Sequence, residues 1–408
     1  MISSNSKRQL KVALVHDYLG EFGGGERVLE ALSEIWPKAP IYTAFYRKEA
    51  AYERFKNRKI ITSWVQKVPF FNTKLHSPLR FLAPLIWNSF SRQLASYDVV
   101  ITSASWYVTK GVIGERQKVK SNKEEGKDKR PIEICYCHTP PRYLYGYPTS
   151  VEWQKYWPVR IYALLVNHFM RVYDFEAAQR VDFFIANSQN VAERIKKFYR
   201  RESTVIYPSV ELNRNTTKAK RLKPEKALDG SRSTLDGYFL VVSRIVGGKG
   251  LQLAVEVANK MGFRLKVVGK PAGYATEYQK ITKIAKDNVD FLGYVEDSEL
   301  AELYSGARAF LALAEDEDFG ITPVEAMLAG VPVIAFNGGG YRETVIQGKT
   351  GLFFGEATTG SLTMAINTFL AMEKKGQWDP DFIRRHAQKF SKERFKREIK
   401  AFVESKVK

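Results

Sequence analysis

The sequence has few of the residues that build disulfide-stapled or zinc-dependent folds. Its 408 residues include only two cysteines and five histidines. Cys135 and Cys137 lie two apart in an apolar run, so on a strand they would share one face, where a disulfide between them is unfavourable. No second Cys or His pair has zinc-ligand spacing. We therefore expect reduced core thiols, as in cytosolic proteins, and no structural metal.

The sequence also lacks long apolar runs and an excess of acidic residues. No uninterrupted apolar stretch approaches about 18 residues, so we expect no transmembrane helix, and the polar segment Met1–Leu10 lacks the apolar core of a signal peptide. The formal net charge is +20. Such a basic excess favours nucleic acid, an anionic membrane surface or phosphate-rich substrates. Because no nucleic-acid-binding motif is present, we do not expect a nucleic-acid partner.

Strand, loop and helix patterns occur in two series. In the first, the apolar run Leu10–His16 leads into a glycine-rich loop and a helical spacing from Glu26 to Ile35. In the second, Tyr238–Ser243 leads into another glycine loop and a helix from Leu251 to Lys260. Residues 211–236 between the series are polar and basic without periodicity, as in a linker. The sequence therefore predicts an α/β fold of two doubly wound, Rossmann-like domains facing a cleft.

The stretch from Glu315 to Phe336 predicts a loop, a short helix, a turn and a buried strand. Thr322 suits the N-cap of the helix, and Gly330 is placed to end it. Thr-x-x-Glu makes Glu325 a candidate capping-box residue, which would give it a purely structural role. The alternative is that Glu317 and Glu325 flank a ligand site above the helix N-terminus.

Three glycine-containing loops could bind an anion, because glycine permits close backbone approach and helix N-termini favour negative charge. In the second series, Arg244 and Lys249 add two cations on either side of such a loop, although two exposed basic residues on a solvated loop are the alternative. A simple flexible turn is the alternative for the first loop. The backbone candidates are Gly23, Gly24 and Gly25 in the first loop, and Gly320, Ile321 and Thr322 in the last.

His138 follows the buried-strand pattern Ile132–Cys137 and opens the segment His-Thr-Pro. The carboxyl end of a strand in an α/β sheet is where ligands bind. A lone histidine is more often structural, and a role in the site is the alternative.

Taken in order, Gly-Gly-Gly, His-Thr-Pro, Arg-x4-Lys-Gly and Glu-x7-Glu resemble the signature of family 4 glycosyltransferases with the GT-B fold. The resemblance implies that Glu325 binds the nucleotide ribose, that Glu317 contacts the transferred sugar, and that a basic pair holds the diphosphate. It implies catalytic roles for His138, Glu317, Arg244 and Lys249, and nucleotide-sugar binding by Gly23, Gly24, Gly25, Arg244, Lys249, Phe319, Gly320, Ile321, Thr322 and Glu325.

Two further segments narrow the resemblance. His-Asp-Tyr-Leu before the glycines and Tyr-Cys-His-Thr-Pro look most like bacterial mannosyltransferases that use GDP-mannose in O-antigen or other polysaccharide assembly. The likeness implies retaining transfer of a hexose to a glycan or polyprenyl-linked acceptor, without a metal or another cofactor. Two alternatives remain open, a UDP-sugar-dependent member of the same family and a non-catalytic GT-B-like protein that docks on membranes or partners. A GT-B epimerase or phosphorylase fits less well.

The resemblance also predicts how the chain is divided. We expect an acceptor-side domain over residues 1–210, a linker over 211–236 and a nucleotide-sugar-binding domain over 237–380. In the GT-B fold a terminal helix, here 381–408, crosses back to pack on the first domain.

Two basic segments with aromatic residues have two interpretations each. Phe70–Leu94 is either an irregular pair of core helices or a surface that meets lipid. Lys196, Lys197, Arg200 and Arg201 are either favourable charge at a helix C-terminus or a membrane-facing patch. On the second interpretation, the protein is cytoplasmic and held on the inner face of the cell membrane by anionic lipids.

Overall fold

A computed structural model describes residues 10–114, 130–147, 149, 157–212, 237–271 and 276–407 of the chain. These residues fall into two compact units. The first unit contains the described residues up to Tyr147, those from Pro158 to Tyr207, and those from Phe395 onward. The second contains the described residues from Pro208 to Arg394. Most of the predicted linker lies outside the described residues.

The first unit is built on a seven-stranded sheet in the order β3-β2-β1-β4-β5-β6-β7, and every described pairing in it is parallel. Parallel neighbours need a crossover connection, which most of the helices supply. The strands are β1 (Val12–His16), β2 (Ile41–Thr43), β3 (Ile60–Thr62), β4 (Val99–Ala104), β5 (Ile132–Cys137), β6 (Phe183–Ala186) and β7 (Ser203–Val205). The helices are α1 (Gly24–Ile35), α2 (Lys48–Phe55), α3 (Ala83–Asn88), α4 (Ser91–Leu94), α5 (Trp157–Arg180) and α6 (Gln189–Tyr199).

The position of β1 explains why the apolar run Leu10–His16 does not alternate between apolar and polar residues. Ala13 and Val15 belong to one buried cluster of the first unit, whereas Val12 and Leu14 belong to another. Because side chains alternate along a strand, both faces of β1 are buried, and each carries apolar residues. The uninterrupted apolar pattern therefore follows from the position of β1 inside the sheet.

The second unit has a six-stranded sheet in the order β10-β9-β8-β11-β12-β13, again with parallel pairings throughout its described strands. Its strands are β8 (Tyr238–Val242), β9 (Arg264–Val268), β10 (Val289–Gly293), β11 (Ala307–Ala312), β12 (Val333–Phe336) and β13 (Gly351–Phe354). Its helices are α7 (Leu251–Met261), α8 (Thr276–Ile284), α9 (Asp297–Gly306), α10 (Ile321–Leu328), α11 (Tyr341–Thr344), α12 (Thr359–Lys374) and α13 (Pro380–Ala387).

The C-terminal segment is two helices, so the prediction of a single helix over 381–408 is wrong. Asp379 caps α13 by accepting the backbone N–H groups of Asp381 and Phe382 at 2.9 and 3.1 Å. A 3₁₀ turn over Gln388–Phe390 then interrupts the segment. The Phe390 ring at the end of this turn is buried against Phe319. The last helix, α14 (Lys392–Val407), buries Phe395, Ile399 and Val403 in a core cluster of the first unit.

The two basic segments are only partly surface features. Within Phe70–Leu94, Trp87 and Phe90 are core residues, whereas Phe70 and Leu85 are 68% and 59% exposed. The segment is therefore part core and part surface, and its contact with lipid stays a prediction. In the second segment, Arg201 donates to the carbonyls of Ala178, Gln179, Val181 and Asp182. Its guanidinium ties together the end of α5 and the start of β6, so Arg201 is a structural residue and not part of an exposed patch.

Candidate functional site

Each sheet has one point where the strand order reverses, between β1 and β4 in the first unit and between β8 and β11 in the second. Connections leave such a point in opposite directions, which opens a crevice beyond the carboxyl ends of the strands. Polar side chains collect at both of these points, and we describe each in turn.

At the first switch point, four side chains form a hydrogen-bonded series. His16 ends β1 and is level with Ser103 of β4 in the parallel register. The Ser103 hydroxyl lies 3.0 Å from Nδ1 of His16 and 2.8 Å from Nε2 of His138, which follows β5. The other ring nitrogen of His16, Nε2, lies 3.5 Å from a carboxylate oxygen of Glu26 on α1. We call His138, Ser103, His16 and Glu26 the histidine relay.

The glycine loop before α1 is shorter than the sequence predicts. Gly23 is the N-cap, and Gly24 and Gly25 already form the first helical turn. The backbone N–H of Gly23 donates to the Glu26 carboxylate at 2.9 Å, which anchors the acid of the relay. A Cβ atom on Gly25 would lie 3.6 Å from the His16 ring and 3.8 Å from the His138 ring. Any longer side chain at Gly25 would therefore press against the relay.

The charge state of Glu26 sets the direction of the hydrogen bonds. Burial by itself would raise the pKa of Glu26, but the His16 hydrogen bond, the His16 charge and backbone N–H groups together lower it. The ionised carboxylate only accepts, so Nε2 of His16 is the N–H donor to Glu26. When the His16 ring carries this single proton, Nδ1 accepts the Ser103 hydroxyl proton, and Ser103 accepts from Nε2–H of His138. In that state the relay fixes one tautomer on each ring.

A second carboxylate shapes the loop after β4. Asp17 is buried and accepts the backbone N–H groups of Ser105, Trp106 and Tyr107 at 3.2, 2.6 and 3.1 Å. The hydroxyls of Ser105 and Thr109 donate to the same side chain. Asp17 therefore holds the chain that leaves β4 close to the end of β1, beside the relay.

At the second switch point, an ion pair bridges two loops. Nζ of Lys249, before α7, lies 2.6 Å from a carboxylate oxygen of Glu317, which follows β11. Both side chains remain partly exposed, 28% and 21% respectively. The Tyr341 hydroxyl lies 3.5 Å from the same Glu317 oxygen, and the Glu317 carbonyl accepts the N–H of Gly340 at 2.9 Å. This places one cation and one carboxylate side by side at the crevice.

Close backbone packing explains several glycines around this ion pair. Gly250 and Gly339 have φ of 69° and 52°, a region that side chains disfavour. A Cβ on Gly250 would lie 2.6 Å from Cβ of Leu313, and one on Gly339 would overlap the Glu317 carbonyl oxygen. The glycines let the loops before α7 and α11 lie directly against the loop that carries Glu317.

Glu325 is not a capping-box residue, and the prediction of Thr322 as N-cap is wrong. Helix α10 begins at Ile321, and its N-cap is Gly320 with φ of 88°. A side chain at Gly320 would meet the Tyr341 ring at 2.7 Å, which leaves room only for glycine at the cap. Glu325 lies one turn further on, buried, and accepts the hydroxyl proton of Tyr304 at 2.8 Å. The tyrosine fixes the position of the buried carboxylate.

The remaining predicted residues divide by exposure. Arg244 follows β8 and is exposed, whereas the Phe319 ring is buried against Phe390 at a centroid distance of 5.5 Å, so it is a packing residue. Ile321 and Thr322 are partly exposed in the first turn of α10. The second unit thus holds Arg244, Lys249, Phe319, Gly320, Ile321, Thr322, Glu317 and Glu325, and the first unit holds Gly23, Gly24, Gly25 and His138.

Sequence reasoning missed several partners in both clusters. His16 carried a signal, because a polar residue closing an apolar run at a strand end is the pattern that identified His138. Ser103, Tyr304 and Tyr341 carried none, since serine and tyrosine are ordinary in strands, helices and loops. Glu26 could be read as an ordinary first-turn acid.

Two Asp-x-Asp spacings occur in the second unit, at Asp316–Asp318 and Asp379–Asp381. Asp379 is the N-cap of α13. Among the described residues, no three His, Cys, Asp or Glu side chains form a cluster suited to a metal ion. Nor does any helix in the described ranges combine the length and apolar character needed to span a bilayer.

Two family models match the sequence one after the other. The model described as Glycosyltransferase Family 4 matches residues 22–214, and the model described as Glycosyl transferases group 1 matches residues 225–381. The first match begins after β1 and includes β2–β7, and the second includes β8–β13.

Relatives include the alpha-1,3/1,6-mannosyltransferase alg2 of Schizosaccharomyces pombe, which is 24% identical over 397 residues, or 86% of this chain and 71% of that protein. The lipopolysaccharide core biosynthesis mannosyltransferase LpcC of Rhizobium leguminosarum is 29% identical over 207 residues, or 47% of this chain and 55% of that protein.

Among solved structures, Anabaena Alr3699/HepE in complex with UDP and glucose superimposes with a TM-score of 0.72 at 18% identity, covering 97% of this chain and 100% of that one. At such low identity the likeness shows the fold, and the predicted GT-B architecture of two Rossmann-like domains is confirmed. The chain belongs to the family 4, or group 1, glycosyltransferases, and it is a glycosyltransferase with the GT-B fold.

Proposed function

We propose that this enzyme transfers mannose from GDP-mannose to a glycan or polyprenyl-linked acceptor in cell-surface polysaccharide biosynthesis, with retention of anomeric configuration. The observation that carries the proposal is the Lys249–Glu317 ion pair at a switch point, because a partly exposed cation there suits a diphosphate. Mannosyl transfer is supported by relatives named as mannosyltransferases over most or about half of this chain.

In this proposal the second unit binds the donor. Lys249 and Arg244 hold the diphosphate, and the backbone N–H groups at the start of α10 add partial positive charge. Glu325 accepts the ribose hydroxyls with the carboxylate that Tyr304 positions. Glu317 exchanges its contact with Lys249 for one with hydroxyls of the transferred sugar, so donor binding separates the ion pair.

The chemistry requires stabilisation of a leaving group more than a strong base. The bond from the anomeric carbon to the β-phosphate oxygen breaks, and negative charge develops on the departing nucleoside diphosphate. The acceptor hydroxyl attacks the same face of the sugar, and its proton passes to the departing phosphate oxygen. We propose that cationic side chains and backbone N–H groups carry this charge without a metal or another cofactor.

We propose that His138 contacts the sugar at the reacting end of the donor, with its ring fixed by the relay. The Ser103 hydroxyl, 2.8 Å from Nε2 of His138, restrains the ring, and with His16 neutral it accepts from Nε2–H of His138. Gly23, Gly24 and Gly25 bring the N-terminus of α1 to the same region, where its partial positive charge favours an anion.

A donor panel tests this proposal. Purified protein is titrated with GDP-mannose, UDP-glucose and UDP-N-acetylglucosamine in a calorimeter, and lipid-linked products are read by mass spectrometry. We expect GDP-mannose to bind most tightly, to give a product one hexose heavier, and to do so equally in EDTA. Preference for a UDP-sugar would replace the donor assignment by the second candidate, and binding of no nucleotide sugar would contradict a catalytic role.

A further inference from the structure

Helix α5 turns its apolar side outward. Eight large apolar side chains on this helix are at least 36% exposed, and Trp157, Leu164 and Phe169 reach 71% each. Proteins that stay monomeric in water rarely expose so large a contiguous apolar surface, and such surfaces mark interaction sites. The apolar exposed residues after Trp157 are Val159, Ile161, Leu164, Leu165, Phe169, Val172 and Phe175.

The inward face of α5 carries small apolar side chains and Met170, together with two buried polar residues, Asn167 and Asp174. Asp174 is fully buried, pairs with the buried Lys110 and accepts the Tyr145 hydroxyl proton at 2.7 Å. Asn167, also buried, accepts from Arg80 at 2.9 Å and donates to the Tyr143 carbonyl at 3.2 Å. These hydrogen bonds fix the rotation of the helix, so its apolar side cannot turn inward without breaking them.

A neighbouring segment extends the apolar surface. Arg80 also stacks on Tyr162 of α5 at 5.4 Å, which holds the segment before α3 beside the helix. Phe81 and Phe169, both exposed, line an apolar hollow of about 360 Å³. Leu85 on α3 is 59% exposed. We call the exposed apolar side chains of α5, with Phe81 and Leu85, the α5 surface.

The charge around the α5 surface is mainly positive. Residues 59–97 and 157–173 contain no Asp or Glu, although 44 of the 408 residues are acidic. Arg160 and Arg171 on α5 are exposed, and helical spacing places them along one border of the apolar side. Lys74 and Arg92 are exposed in the neighbouring segment. One exposed acid, Glu176, lies near Val172 and Phe175 at the C-terminal end of the surface. Large apolar side chains bordered mainly by cations are the composition of an interfacial helix.

We infer that the α5 surface docks on an anionic lipid bilayer, with Leu164, Leu165 and Phe169 entering the headgroup and acyl boundary. Arg160, Arg171, Lys74 and Arg92 lie near the lipid phosphates. The complementary charge favours an anionic bilayer over a second copy of this basic chain, since two copies would bring like charges together. This assignment keeps part of the sequence-based segment Phe70–Leu94, adds α5 and does not use Lys196–Arg201.

The test uses the full chain and vesicles of phosphatidylcholine with or without about one third phosphatidylglycerol. We expect co-sedimentation with the anionic vesicles, little with neutral ones, and a decrease at high salt because the charges are exposed. Phe169→Ser should weaken the partition at least about threefold, and Leu164→Ser with Phe169→Ser at least about tenfold. Both side chains are exposed, so nucleotide affinity and melting temperature should be unchanged.

Met364→Ser is the matched control, because Met364 is 70% exposed on α12 in the second unit, where we assign no lipid contact. Its partition should equal that of the wild type. Equal loss in the Met364 and Phe169 variants would overturn the assignment to α5. Absence of binding to anionic vesicles, with a dimer in sedimentation velocity that Phe169→Ser dissociates, would show instead that the surface is a protein interface.

Discussion

The two switch points hold equivalent places in two parallel sheets, yet they carry different chemistry. The first gathers two imidazoles, a hydroxyl and a carboxylate, of which His16 and Ser103 are buried. The second gathers an ammonium and a carboxylate that remain about one quarter exposed. A buried series of hydrogen bonds is suited to holding a ring and its proton, whereas an exposed cation is suited to binding an anion. The same sheet topology thus creates a crevice in each unit, and the side chains at that crevice determine its chemistry.

The largest effect is expected from removing the cation of the Lys249–Glu317 ion pair. Lys249→Ala should lower kcat/KM for the donor about 10- to 100-fold, because a charged hydrogen bond to the diphosphate is worth about 1.5–3 kcal/mol. The fold should be intact, since the side chain is partly exposed. Lys283→Ala on α8 removes another exposed lysine from the same unit as the control. Wild-type turnover in the Lys249 variant would show that Lys249 does not bind the donor diphosphate.

A second substitution tests the buried Glu325 carboxylate independently of the exposed Lys249–Glu317 ion pair. Glu325→Gln should weaken nucleotide binding about tenfold, because the amide keeps the Tyr304 contact but loses the charged acceptor. Melting temperature should stay close to that of the wild type. Tyr304→Phe is the companion variant, which retains the carboxylate and should keep most of the affinity. If calorimetry shows normal affinity for Glu325→Gln, the carboxylate is purely structural.

A stability test asks how much the second switch point depends on close packing. Gly339→Ala should lower the free energy of unfolding by about 1–3 kcal/mol, because it combines a positive φ with overlap on the Glu317 carbonyl. Gly348→Ala also has a positive φ but no atom within 4 Å of the added Cβ, so about 1 kcal/mol is expected. Chemical denaturation compares the two. Equal losses would show that backbone strain alone requires the glycine.

The relay offers a smaller effect with a specific signature. Ser103→Ala should lower turnover about two- to tenfold, since one hydrogen bond is worth about 0.5–1.5 kcal/mol. Because the relay sets the tautomer of His138, the pH profile of kcat should shift as well. Ser105→Ala is the control, a hydroxyl that contacts Asp17 outside the relay. A decrease in turnover without any change of the pH profile would show that Ser103 contributes only to packing.

The smallest effect is a pH dependence of stability. The pKa of Glu26 is lowered below its ordinary 4.5 in the folded protein, so its ionised form stabilises the fold above that pH. This contribution is lost as the pH falls through the folded pKa. The unfolding free energies of wild type and Glu26→Gln should therefore differ most near pH 7 and converge as the pH falls through the folded pKa of Glu26. Glu30→Gln on the same helix, whose partner Arg54 lies 3.6 Å away, is the control. A constant difference across that range would contradict an ionised Glu26.

Elements with strong local patterns could be predicted. The run at β1, the helix α1 and the glycine after α10 follow from burial on two faces, helical spacing and the left-handed turn at Gly330. Predictions at helix starts were weaker. Thr322 is as good a cap as sequence statistics allow, yet the helix begins at Ile321 because Gly320 packs against Tyr341.

The sequence by itself determined which segments are strands and helices, and the order of motifs that identified the family. The tertiary structure decided which side chains meet. His16 and Ser103 are 87 positions apart, and only the parallel register of β1 and β4 makes them neighbours. Spacing likewise makes α5 a helix, but its inward face is fixed by Asp174 with Lys110 and Asn167 with Arg80. Those long-range hydrogen bonds outweigh the apolar pattern because leaving a buried charge unpaired costs more than exposing apolar surface.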